Sequence, residues 1–238
     1  MEQKVLRAVM VCLLLMSMAI LGRETAAYVE TVNAVNALQG NNADTDGIPT
    51  VVIDAGHGGD DPGKIGINGV PEKDINLRIT EKLRQYLEAD GIRVVLTRET
   101  EDGLYDASAP NKKVQDMKRR IEKIEQTDPV LTVSIHQNKF TQSQYDGTQV
   151  FYSGNHEESR LLASAIRESV TGLLQPDNTR ELKKGDSNIY LLYKATRPAV
   201  LVECGFLSND AELRRLKDPD YQRQMAFAVA GGILRYGP

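Results

Sequence analysis

From Pro49 onward, short β-branched runs alternate with stretches in which large apolar residues return every three or four positions. The runs PTVVID (49–54), IRVVLT (92–97), VLTVSI (130–135), GTQVFY (147–152), NIYLLY (188–193) and AVLVE (199–203) read as strands. Several are apolar at nearly every position, the pattern of strands covered on both faces. Between them Ile75, Ile79, Leu83 and Leu87 repeat at i, i+4 and stop before Gly91, a residue suited to the left-handed turn after a helix. Val114, Met117, Ile121 and Ile124 make a second stripe, and Leu162, Ile166, Val170 and Leu173 a third. Asp218-Pro219 opens a last helix in which Tyr221, Met225, Val229 and Ile233 share a face. Strands alternating with such helices predict a three-layer α/β/α domain around a mostly parallel or mixed sheet of about six strands.

The first 48 residues follow a different pattern. Lys4 and Arg7 precede the uncharged run Ala8 to Leu21, which Arg23 and Glu24 end early. A basic start followed by a short apolar core is the layout of an export segment. It is shorter than the roughly 20 apolar residues of a comfortable bilayer span. Residues 1–27 therefore read either as a signal peptide cleaved after Ala27 or as a retained N-terminal membrane anchor, and both place the domain outside the cytoplasm. Residues 28–48, rich in Asn, Ala, Thr and Asp, read as a flexible tether. The catalytic domain is expected over 49–238, with membrane contact only through the N-terminal segment.

Charge narrows the partners. Lys plus Arg number 29 against 33 for Asp plus Glu, a formal charge of −4, so there is no basic field for a polyanion and nucleic acid is excluded as a partner. Of the two cysteines, Cys12 lies in the apolar N-terminal run, which leaves Cys204 without a disulfide framework.

Three histidines occur in the chain, and two fall just after strands: His57 in DAGHGGDDPG and His136 in SIHQN. Glu203 ends the strand AVLVE. In open α/β sheets the ligand crevice lies outside the carboxyl ends of the strands, so these groups converge on one edge. Glu72 begins the first amphipathic helix and reaches the same rim if the loop 58–71 wraps back. Two imidazoles and one carboxylate leave a fourth tetrahedral position open, the donor set of catalytic zinc. Spacing alone leaves other readings in place: a loop or core role for His57, an acid at a helix N-terminus for Glu72, and a buried, hydrogen-bonded His136. Gly56, Gly58 and Gly59 also admit a phosphate cradle, although neither G-x-G-x-x-G nor a P-loop follows the first strand. His156, in GNHEESR, opens a surface helix and is not expected to be a ligand.

Taken in order, DAGHGG, PEKDINL, TRE (97–99), SIHQN and ECGFLSN (203–209) resemble the motifs of zinc-dependent N-acetylmuramoyl-L-alanine amidases, over residues 49–236. The resemblance implies that His57, Glu72 and His136 hold one Zn²⁺ per chain and that Glu203 is the catalytic carboxylate. It further implies hydrolysis of the amide between the lactyl group of N-acetylmuramic acid and L-alanine in peptidoglycan. The chain is most similar to the short spore-cortex amidases, which implies action at the cell wall or spore cortex, by a protein secreted or anchored on the outer face of the membrane. With both rim histidines assigned to metal, Cys204 lacks a base, and strand alternation points it away from Glu203 as a small buried apolar residue. Asn138, close behind His136, and Arg180, by resemblance, are candidates for binding substrate. Gln137 replaces the commoner small residue of the motif and is expected to narrow the rim or bond substrate. The loop from Lys139 to Asp146 is too short for the inhibitory helix of some relatives. Muramoyl peptides are the expected partner, with an activating protein as a candidate. A zinc peptidase acting on another wall peptide and a non-catalytic muramoyl-peptide binding module are the alternatives.

Overall fold

A computed structural model describes residues 47–238; the export segment, whether cleaved or retained, and nearly all of the tether lie outside the described residues. Among those residues no helix is long and apolar enough to cross a membrane. The strands are β1 (Thr50–Ala55), β2 (Arg93–Leu96), β3 (Leu131–Asn138), β4 (Gln149–Tyr152), β5 (Lys183–Lys184) and β6 (Ala199–Phe206). The helices are α1 (Glu72–Ala89), α2 (Lys112–Thr127), α3 (Glu157–Leu173), α4 (Tyr190–Lys194), α5 (Asp210–Lys217) and α6 (Pro219–Tyr236).

The strands form one sheet in the order β2-β1-β3-β6-β4-β5. β2, β1, β3 and β6 are parallel, whereas β4 runs antiparallel to β6 and pairs in parallel with the two-residue β5. The sheet is thus mixed and six-stranded, as the pattern predicts. One expected strand is not there: NIYLLY contributes the helix α4, and the sixth strand is Lys183–Lys184. An unbroken apolar and aromatic run such as Ile189 to Tyr193 carries no period that separates strand from helix. Leu191 and Leu192 are buried against Ala199 and Leu201 of β6, and the short helix achieves this within one turn.

The two faces of the sheet are covered unequally. α1, α3 and α6 pack on one face over a large core that includes Val51, Ile53, Val133, Ile135, Val200, Val202 and Cys204. On the other face, among the described residues, lie only α2 and the short α4, with a small cluster around Leu191, Leu192, Ala199 and Leu201. Strand alternation therefore sends Cys204 into the thick core and Glu203 to the thinly covered face. The expected stripe of α2 holds in part, with Ile121 and Ile124 packed against that small cluster. Val114 at its start is exposed, whereas Asp116 and Arg120 are the buried residues of this helix. The reason is the face it covers, which is lined by the polar side chains Asp54, Thr97 and Ser134.

Candidate active site

His57, Glu72 and His136 are brought together by three different devices. β1 ends at Ala55, and its next residues turn sharply, with His57 in the left-handed region at φ 63°. β3 continues past Ile135, so that His136 lies inside the strand and projects from the thin face. Glu72 is the first residue of α1, and the loop before it wraps back across the site: the Lys64 amide donates to Glu72 Oε2 at 2.8 Å. Close approach requires glycine at two positions, because a Cβ on Gly56 would meet the His136 ring at 2.2 Å and one on Gly63 would meet His57 at 2.6 Å and Glu72 at 2.7 Å.

One ligand atom from each of the three residues lies within 4.8 Å of the others, a cluster that could hold a metal ion. Glu72 is fully buried and joins the two imidazoles: His136 Nδ1 is 2.8 Å from its Oε1, and His57 Nε2 is 3.4 Å from its Oε2. The Gln137 amide also donates to Oε1, at 3.0 Å. His57 Nδ1 is bonded to Asp61 Oδ2 at 3.0 Å, a carboxylate behind a ring nitrogen of the kind that orients a metal-binding imidazole. Burial works against a charged His57, but its bonds to Asp61 and Glu72 outweigh this and raise its pKa to about 9. Burial also disfavours the Glu72 carboxylate, and the two imidazoles overcome it, holding the group well below the usual carboxylate range.

Glu203 stands beside this cluster. It is a register partner of His136 in the β3–β6 ladder and shares a cavity of about 480 Å³ with His57 and His136. Burial pushes its carboxyl above the usual range, against the pull of Lys64, whose Nζ lies 3.2 Å from Oε1. The buried Oε2 has no hydrogen-bond partner within the protein. A carboxylate with one oxygen held by Lys64 and the other without a protein partner, in a residue that lines a cavity, is arranged to exchange a proton with something that enters it.

Asn138 lines the same cavity, together with Phe140, Phe151, Ile189, Tyr190 and Leu201. Arg180 is not brought there; its guanidinium lies 4.5 Å over the Phe206 ring, and its Nε donates to the Asp146 carbonyl. Gln137 is not on the rim either. It is fully buried on the opposite face of β3, where its side chain donates to Asn76, so its part is to hold Glu72. The amides of Gly56, Gly58 and Gly59 donate to the carbonyls of Ile135, Asp61 and Glu101, which uses up the groups a phosphate cradle would need. His156 is the N-cap residue of α3, apart from the cluster, and residues 139–146 make turns and no helix.

Residues 51–235 match the family described as N-acetylmuramoyl-L-alanine amidase. The chain belongs to this family. It is 34% identical over 189 residues to the germination-specific N-acetylmuramoyl-L-alanine amidase of Bacillus subtilis, covering 78% of each chain. Among solved structures, the CwlD amidase of Clostridioides difficile in complex with the GerS lipoprotein is similar at 42% identity and a TM-score of 0.77, over 79% of this chain and 98% of that one. The amidase AmiC2 of Nostoc punctiforme matches at 32% identity and a TM-score of 0.68, over 79% and 96% of the two chains.

Several residues of this amidase site carry no individual signal in the sequence. Lys64, between Glu72 and Glu203, looks like any loop lysine. Asp54 and Arg120 form a fully buried pair at 2.6 Å beneath His57, although they lie on a strand and a helix far apart in the chain.

Proposed function

We propose that this amidase binds one zinc ion through His57, Glu72 and His136 and hydrolyses the amide between the lactyl group of N-acetylmuramic acid and L-alanine in peptidoglycan. The observation that carries the reading is the buried Glu203 carboxylate, with one oxygen lacking a protein partner, in a cavity it shares with His57 and His136, the two imidazoles clustered with the buried Glu72. The donors suit the metal: two borderline nitrogens and one hard oxygen, with His57 supported by Asp61 and Glu72 by the Lys64 and Gln137 amides, leave room for a fourth ligand. When bound, zinc supplies the Lewis acidity that makes water a nucleophile near neutral pH and polarises an amide carbonyl.

The chain's own residues do the rest. Glu203 accepts the proton of the attacking water and returns it to the alanine nitrogen as the C–N bond breaks. Its burial favours both steps, because a carboxyl with a raised pKa is a stronger base and then gives up the proton at a useful pH. Lys64 holds one Glu203 oxygen, leaving the other to face the substrate. Asn138 and the aromatic residues of the cavity hold the muramoyl peptide.

Export or anchoring through residues 1–27 would bring the domain to its wall substrate outside the cytoplasm, with 28–48 as tether. A role in spore-cortex remodelling, and a protein partner comparable to the one with which the CwlD amidase is complexed, follow the same relatives. Incubating the full chain and zinc with muramoyl-L-alanyl peptides and counting new L-alanine amino termini tests the activity. Their absence, with zinc bound, would reject it.

A further inference from the structure

The motif Thr97-Arg98-Glu99 belongs to the family pattern, yet none of its side chains enters the cavity. Arg98 instead lies buried behind the metal cluster, 3% exposed. Its Nε donates to the Ala55 carbonyl at 2.9 Å, its Nη2 to those of Gly56 at 3.2 Å and Lys73 at 2.8 Å, and its Nη1 to that of Thr100 at 2.8 Å. Arg120, 1% exposed, approaches the same turn from α2 and donates to the carbonyls of Ala55 at 2.7 Å and His57 at 2.5 Å. It also donates to Asp54 and Asp116, each at 2.6 Å, and to the Thr97 hydroxyl at 3.5 Å.

The carbonyls of Ala55, Gly56 and His57 therefore all accept hydrogen bonds from two buried guanidinium groups. Ala55 and Gly56 lead directly into His57, whose left-handed backbone an L-residue adopts only when its surroundings enforce it. Lys73 is the residue after Glu72. A single nitrogen of Arg98 thus ties the segment that carries His57 to the segment that carries Glu72. Asn76 reinforces the link, donating to the Gly56 carbonyl at 3.0 Å and to Glu72 at 3.4 Å.

We infer that Arg98, with Arg120, is a positioning device that sets the spacing and orientation of His57 relative to Glu72, and so the affinity and geometry of the metal site. A planar guanidinium donates in several fixed directions at once, which an ammonium at the same position cannot reproduce. Arg98 does not line the cavity, whereas Arg120 does. Arg120 also neutralises Asp54 and Asp116, so its replacement alone would leave buried charge, and Arg98 is the cleaner probe. The inference rests on the metal reading above.

The test uses the full chain, zinc and cobalt. For Arg98→Lys, zinc dissociation constants are measured by chelator competition, the visible spectrum of the cobalt-loaded protein is recorded, and the metal-free melting temperature is taken. Val229→Ala, a cavity in the core of α6 far from the turn, serves as a destabilised control. The expected result is zinc binding weaker by about 10–100-fold in Arg98→Lys, the range for residues supporting metal ligands, with altered cobalt bands, while Val229→Ala melts lower but binds zinc as the parent does. If the variant folds only with metal, zinc-dependent recovery of its circular dichroism reads the same affinity. Folded Arg98→Lys binding zinc within twofold of the parent overturns the inference. So does an equal loss in Val229→Ala, or a variant that stays unfolded at saturating zinc. A parent that binds no zinc overturns the metal reading itself, and is thereby told apart.

Discussion

His136 and Glu203 are register partners on adjacent parallel strands, and both project from the thinly covered face of the sheet. Ladder geometry alone thus sets a metal-competent imidazole and a buried carboxylate side by side, on two strands rather than on loops. In the proposed mechanism, proton transfer and metal binding are divided between neighbours that cannot drift apart without breaking the sheet.

Replacing the Glu203 carboxylate separates these tasks. Glu203→Gln is expected to keep zinc binding within about threefold and to lower kcat by about 10²–10⁴-fold, the usual contribution of a positioned acid or base. It is also expected to melt higher than the parent at pH 7. Burial raises the folded-state pKa of Glu203, so the parent becomes less stable as the pH climbs past the ordinary carboxylate value, and a neutral amide escapes that loss. The gain should vanish near pH 4; activity, zinc titration and melting curves at the two pH values check all three points.

His57 makes zinc affinity depend on pH. Its metal-free pKa is raised from 6.5 to about 9, so at pH 7.5 zinc must displace a proton from it. Apparent affinity should rise by up to about tenfold per pH unit and flatten above pH 9. Calorimetry in buffers of different ionisation enthalpy should detect about one proton released at pH 7.5, and none would contradict the His57 contacts. The sign for the metal-free protein is opposite: the ion pairs of protonated His57 with Asp61 and Glu72 stabilise fully below pH 6.5 and are lost as the pH passes about 9.

Lys64 has its ammonium 3.2 Å from Glu203 and 3.7 Å from Glu72. Lys64→Met removes a cation that favours the ionised form of Glu203 and that repels an incoming dication. The acid limb of kcat/KM is expected to move to higher pH, and zinc to bind at least as tightly as in the parent. An unmoved acid limb would mean that Lys64 does not face Glu203 in the working enzyme.

Cys204 is fully buried on the other side of β6, and burial pushes its thiol well above its usual pKa. Cys204→Ala should retain the rate within about twofold while losing about 1 kcal/mol of stability. The native thiol should resist iodoacetamide until the protein unfolds. Rapid labelling of the folded protein would contradict its placement.

Much of this site is legible in the chain. Strand runs ending just before His57 and near His136, a helix beginning at Glu72 and a strand ending at Glu203 put four groups on one edge before any coordinates are known. The rest is hidden for identifiable reasons. Within NIYLLY, Ile189 to Tyr193 is an unbroken apolar and aromatic run and so has no period. The run 130–135 breaks off where the apolar residues stop, but β3 extends to Asn138, and that extension turns Gln137 inward to hold Glu72. The inward face of α2 carries Asp116 and Arg120 where it covers Asp54 and Ser134, so its apolar stripe is used only in part: Ile121 and Ile124 pack on the small cluster, while Val114 is exposed. Charged pairs such as Asp54 with Arg120 follow no local rule and emerge only when strand and helix meet.

The most direct test of the account is hydrolysis of a muramoyl-L-alanyl peptide in water enriched in ¹⁸O, with the products read by mass spectrometry. The full chain with zinc should yield a peptide with a free L-alanine amino terminus and a lactyl carboxylate carrying one ¹⁸O, while Glu203→Gln with zinc bound should yield almost none. Label appearing in a peptide carboxylate with the lactyl amide intact, or equal product from Glu203→Gln, would contradict it.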